Sequence, residues 1–179
     1  MVQGIKKFSN KVQFMKELTT EIVIHADVSL VWNTLINLDH YSEWNPFITE
    51  ASGKIKDGEK LGLVFSLPDE SHYEFNPIVK NVDYHHEITW KGHLWTPGIF
   101  DGEHIFEFDV RGKETCVFRQ RIKFSGISVP FIWDRFGSPC REGSNKMNQK
   151  LKKRAEAMAI KNRADDITRS FSNRVSRVS

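Results

Sequence analysis

Residues 100–104 read FDGEH and bring Asp101, Glu103 and His104 within four positions. An imidazole titrates near neutral pH and can act as general acid or base, with a carboxylate to orient it. The surrounding pattern is that of a strand, in which neighbouring side chains point to opposite faces. Glu103 and His104 therefore cannot attack one substrate together; only His104, with Asp101 at the strand's mouth, is placed to act inside. On the following strand Phe118, Ile122 and Phe124 share a face with Gln120, while Arg119, Arg121 and Lys123 face water. An imidazole and a carboxamide thus fall on an apolar face. Left unpartnered there, each costs about 1–3 kcal/mol, so each must bond to the other, to backbone, to water or to a ligand. A satisfied pair in a filled core and a partly wet cavity both fit this pattern.

Other chemistries lack their residues. The chain has no HExxH, GxxxxGK[ST], GxSxG or GxGxxG pattern, so zinc-protease, P-loop, hydrolase-elbow and dinucleotide readings have no support. Cys116 and Cys140 stand far apart without ligand spacing and read as free thiols of a reducing compartment. No metal and no cofactor is expected. His85 and His86 fall in a turn and read as solvated.

The elements that must position His104 and Gln120 follow from periodicity. A β-branched first strand is expected over 18–25, then a helix capped by Asp27 or Ser29, then a short turn over 39–43 stopped by Pro46. Turn residues then separate six strands, about 48–55, 60–67, 73–82, 86–95, 102–110 and 114–125, joined too closely for anything but an antiparallel meander. On them Ile88, Trp90, Gly92 and Leu94 share the inward face with Phe106, Phe108 and Val110. After Gly126, Val129, Phe131, Ile132 and Phe136 precede Pro139, a helix start or kink. Met147, Leu151, Ala155 and Met158 then form one apolar stripe, with Asn148 among the polar positions. The expected fold class is α+β: a seven-stranded antiparallel sheet, two short helices after strand one and a long final helix.

With 179 residues, 39% hydrophobic and 27% charged, and with five Trp and thirteen Phe, the composition is that of one globular domain. Without a membrane-length apolar run or a signal-peptide core, a cytoplasmic protein is expected. Residues 150–179 hold nine Lys or Arg against three acids, and residues 1–149 hold 17 bases and 20 acids. Residues 1–17 form a basic segment in which Ile5, Phe8, Val12 and Met15 have helical spacing; residues 163–179 read as a basic, disordered tail. The termini offer a peripheral membrane contact. No nucleic-acid partner is expected, because the tail lacks interleaved aromatics apart from Phe171. The oligomeric state is not readable.

The order of elements resembles the helix-grip fold of the SRPBCC superfamily, which includes START lipid-transfer domains, birch-allergen-like proteins and polyketide cyclases or dehydratases. The resemblance covers about 18–160 and is carried by VWNTLINLDHYSEWNPF at 31–47, ITWKGHLWTPGIFDGEH at 88–104, FSG at 124–126 and MNQKLKKRAE at 147–156, and is similar to the polyketide cyclase/dehydrase and lipid-transport branch. It implies a domain over about 18–162, with the sheet curved around the last helix and a cavity opening near 95–101 and 40–47. That branch often has histidine where this chain has Gln120, which removes a second acid/base group. The resulting expectation is a protein that binds a small hydrophobic ligand such as a lipid, sterol or polyketide. The candidate wall is Trp44, Phe47, Phe65, Phe75, Trp90, Leu94, Phe100, His104, Phe106, Phe118, Gln120, Met147 and Leu151. A cyclase or dehydratase using His104, and an interaction module acting through the basic tail, are the alternatives.

Overall fold

The computed structural model describes residues 14–175. The chain opens with β1 (Phe14–Ile24), followed by α1 (Val28–Ile36), a 3-10 turn at Leu38–His40 and α2 (Tyr41–Trp44). Asp27 caps α1, its carboxylate accepting from the Ser29 amide at 2.8 Å. Next come β2 (Ile48–Ser52), β3 (Gly62–Ser66), β4 (His72–Phe75), β5 (Ile78–Asp83), β6 (Glu87–Leu94), β7 (Phe100–Gly112) and β8 (Thr115–Gly126). A single helix, α3 (Val129–Val175), ends the described chain. This is the α+β helix-grip arrangement.

The strands number eight rather than seven among the described residues, in two antiparallel sheets: β1-β8-β7-β6-β5 and β2-β3-β4. The run expected over 73–82 breaks at Asn76-Pro77, because a proline has no amide proton for the ladder. Before the break β4 pairs with β3; after it β5 pairs with β6, and a single Lys60–Ile78 bridge spans the two sheets. β4 is consequently a four-residue edge strand bonded only to β3. Burial along β8 alternates without exception, with Cys116, Phe118, Gln120, Ile122 and Phe124 inward. Val110 departs from the expected face: it is half exposed at the frayed end of β7.

β1 starts four residues earlier than expected. Phe14, Met15, Lys16 and Glu17 find ladder partners on the long β8, from Gly126 back to Lys123, so they extend the strand instead of the expected helix. The rest of that helix lies outside the described residues. α3 passes through Pro139 without interruption and buries Phe136, Cys140, Met147, Leu151 and Ala155 against the sheet. A Cβ at Gly143 would stand 2.2 Å from the Phe47 ring, so the bare glycine lets the helix seat on that ring. Residues 163–175, expected as a disordered tail, are helical. No Gly or Pro follows Gly143 in α3, so nothing in the sequence interrupts a helix already nucleated and packed on the sheet upstream. Among the described residues no helix is long and apolar enough to cross a membrane.

Candidate functional site

A cavity of about 70 Å³ lies where the two sheets meet α3. The small sheet supplies Phe65, Tyr73 and Phe75; β6 and β7 supply Leu94, Phe100, Gly102 and His104; β8 supplies Ile122 and Phe124. Phe136 and Cys140 come from α3, and Phe47, Leu67 and Glu103 complete the lining. Ring contacts run along both sides. Phe47, Phe65 and Phe75 stand 5.0 and 5.9 Å apart in succession, while Phe136 meets Tyr73 at 5.1 Å and Phe100 at 5.2 Å.

Gly92 and Gly102 face each other across the β6–β7 ladder and leave a notch that receives the Phe75 ring. A Cβ would approach its Cζ to 2.9 Å from Gly92 and 3.3 Å from Gly102. With the aromatics of β4 so seated, the cavity is about half the 150 Å³ that admits a benzene and well under the roughly 300–1,000 Å³ usual for small-molecule sites. The expected hollow of lipid or polyketide size is therefore not present in this conformation. The side chains filling the seam belong to a short edge strand.

His104 and Gln120 sit on the apolar face as alternation requires, at diagonal ladder positions, and are buried. His104 Nε2 lies 2.8 Å from Gln120 Oε1. The Gln120 amide nitrogen donates to Asn148 Oδ1 at 2.5 Å and to the Ser144 carbonyl at 3.3 Å, and Asn148 Nδ2 donates to Thr20 Oγ1 at 3.2 Å. The pair is thus part of a buried polar row linking β7, β8, α3 and β1. His104 Nδ1, also buried, has no partner. Desolvation pushes the imidazole down to about 3, against the opposing effect of its bond to Gln120. At neutral pH His104 is an uncharged hydrogen-bonding group.

The expected wall divides in two. Phe47, Phe65, Phe75, Leu94, Phe100 and His104 line the cavity. Trp90, Phe106, Phe118, Met147 and Leu151 do not; they are wholly buried core, packed against neighbours that leave them no open side. Gln120 does not line it either, since its amide is spent on His104, Asn148 and Ser144. Trp44 borders a separate outer cleft with Lys150, Lys153 and Arg154. Asp101 accepts from the Gly98 amide at 2.9 Å and so closes the turn before β7, and Glu103 reaches out to Lys123 at 3.7 Å. Neither carboxylate approaches the imidazole as a catalytic partner. His85, expected as solvated, stacks on Tyr84 at 3.8 Å and has a buried Nε2.

Sequence reasoning missed Leu67, Tyr73, Gly102, Glu103, Ile122, Phe124, Phe136 and Cys140 as lining. The alternation already set Ile122 and Phe124 beside Gln120, and Tyr73 alternates with Phe75. Asn148 was placed on the polar side of the helix, yet it is buried four residues after Ser144, and that spacing carries the signal. Burial pushes the Cys140 thiol up to about 12 and the Cys116 thiol, helped by nearby Asp27 and Asp109, up to about 11. No group of three or more His, Cys, Asp or Glu side chains among the described residues could hold a metal ion.

Residues 15–156 match the family model described as "Polyketide cyclase / dehydrase and lipid transport". Comparison with curated proteins returns no match. Among solved structures the chain is similar to the di-domain ARO/CYC StfQ of the steffimycin biosynthetic pathway, with TM-score 0.67 at 12% identity over 81% of this chain. The alignment takes in 52% of StfQ, so this chain spans about half the length of that protein. It is also similar to norcoclaurine synthase from Thalictrum flavum in complex with dopamine and hydroxybenzaldehyde, with TM-score 0.63, 13% identity and coverage of 86% and 93%. A START superfamily protein from Mycobacterium smegmatis gives 0.61 at 15% identity, covering 79% and 98%. At these identities the likeness is one of fold.

Proposed function

The chain belongs to the polyketide cyclase/dehydrase and lipid transport family, and from that premise we propose that it binds a small hydrophobic ligand in the cavity between the two sheets and α3. One observation carries this reading: an aromatic-walled cavity has a single imidazole in its lining and is closed on one side by an edge strand whose ladder bonds go to β3 alone. Displacing Tyr73 and Phe75 with that strand would enlarge the cavity without breaking the five-stranded sheet. The driving force would be desolvation. A ligand burying roughly 150 Å² of apolar surface gains about 4 kcal/mol at about 25 cal/mol per Å².

The state of His104 weighs against the catalytic alternative. An imidazole pushed down to about 3 is not an imidazolium at neutral pH and cannot serve as a general acid; it is a weak base, and no carboxylate is placed to orient it. Calorimetric titration with apolar aromatics of rising volume, from benzene to naphthalene, tests the proposal. Saturable binding with a negative heat-capacity change is expected. Absence of binding, both in the wild type and in Phe75→Ala, would overturn it.

A further inference from the structure

We infer that the cavity selects an apolar ligand that donates a hydrogen bond, through an O–H or N–H, over one that can only accept. This rests on the ligand-binding reading above and deepens it. The Ser144 main-chain carbonyl can only accept, so the group of Gln120 that faces it must be the amide NH₂. That orientation turns Gln120 Oε1 toward His104, 2.8 Å from Nε2. A carboxamide oxygen also can only accept, so Nε2 must carry the ring proton. Because burial keeps the imidazole uncharged, it has just that one proton, and Nδ1 is left as a bare lone pair without a partner.

Ser144, by its place on α3, thus sets the tautomer of a ring two strands away. Nδ1 is covered in this conformation, so a guest meets it only as the cavity opens; a hydroxyl or N–H then brought against it would complete its hydrogen bonding, whereas a ketone, ether or carboxylate oxygen would oppose lone pair to lone pair. The Trp90 indole N–H is another unpartnered group, but Trp90 does not line the cavity. The Cys140 thiol on the wall is only a weak donor.

Indole and benzofuran share one outline and differ by N–H against ring oxygen, so they are the probes. Calorimetry on the wild type, on Phe75→Ala to give room, and on His104→Phe measures each pair. The inference expects indole to bind about tenfold more tightly than benzofuran, the value of one hydrogen bond, wherever His104 is present. In His104→Phe, made in the Phe75→Ala background so that the larger ring still leaves room for a guest, that preference should vanish while both compounds still bind. Equal affinities, or a preference for benzofuran, with His104 in place overturn the inference and leave the cavity reading standing. Failure of both compounds to bind the wild type and Phe75→Ala overturns the cavity reading itself, and the inference with it. Independently of any ligand, the ring-nitrogen NMR spectrum should show a protonated Nε2 and an unprotonated Nδ1 at neutral pH; a proton on Nδ1 overturns the inference.

Discussion

Acidification should destabilise the protein through His104 more than through ordinary surface groups. In the folded state desolvation pushes this imidazole down to about 3, whereas in the unfolded chain it titrates near the ordinary 6.5. Between those values the unfolded state binds a proton that the folded state refuses. The contribution is therefore fully present above about pH 6.5 and is lost as pH falls toward the folded value, at about 1.4 kcal/mol per pH unit. By about pH 5 the loss amounts to about 2 kcal/mol. His104→Phe removes the titration, and the adjoining cavity gives the larger ring room. It also strands Gln120 Oε1, so the variant should be about 1–3 kcal/mol less stable at neutral pH. The decisive quantity is the slope. Urea unfolding followed by tryptophan fluorescence at about pH 7.5 and about pH 5 should show the wild type losing about 2 kcal/mol more than the variant. Carboxylates such as Asp27, held low by its bonds from Ser29, are common to both proteins and cancel. Parallel losses would refute the reasoning and mean that the imidazole is protonated, or wetted, in the folded state.

Three further outcomes follow from the packing. Phe75→Ala should empty the notch over Gly92 and Gly102, lower stability by about 1–3 kcal/mol and raise affinity for apolar aromatics; an unchanged affinity by calorimetry would show that the edge strand does not limit the cavity. Gly143→Ala should destabilise despite gaining about 1 kcal/mol of helix propensity, because its methyl group meets the Phe47 ring; a raised melting temperature would contradict the close seating of α3. Cys116 and Cys140, free, buried and pushed up to about 11 and about 12, should resist a thiol-specific disulfide reagent at about pH 8 until denaturant is added. Prompt labelling of the native protein would count against their burial.

Much of this arrangement was legible in the residues because period-2 alternation is a strong local constraint. It set Gln120 and His104 on the core face, turned Arg119, Arg121 and Lys123 outward, and separated Glu103 from His104, all as found. Where alternation was overridden, the cause lay in long-range geometry. Pro77 divides a run that reads as one strand, since the need for a ladder hydrogen bond arises only when a partner strand is present. The register of β8 draws Phe14–Glu17 into β1, although their own spacing suits a helix.

The wall was only half readable for a similar reason. Inward orientation is shared by residues beside a void and residues packed into solid core, and periodicity cannot tell Phe100 from Phe106. Which is which depends on how far two sheets and a helix stand apart, and here on two facing glycines that admit Phe75. Nor could the pattern show that Gln120 would be consumed by Asn148 and Ser144, because those partners arrive from a helix more than twenty residues downstream.

The central claim is that this cavity exists to hold an apolar guest. Denaturing extraction of the purified protein, followed by mass spectrometry of the released small molecules, tests it most directly. A stoichiometric, largely apolar compound bearing a hydroxyl or N–H, absent from a parallel preparation of a variant with Phe47 and Phe100 replaced by charged residues, is the predicted result. A wild type that carries nothing, and that takes up none of the apolar aromatics offered to it, would contradict the account.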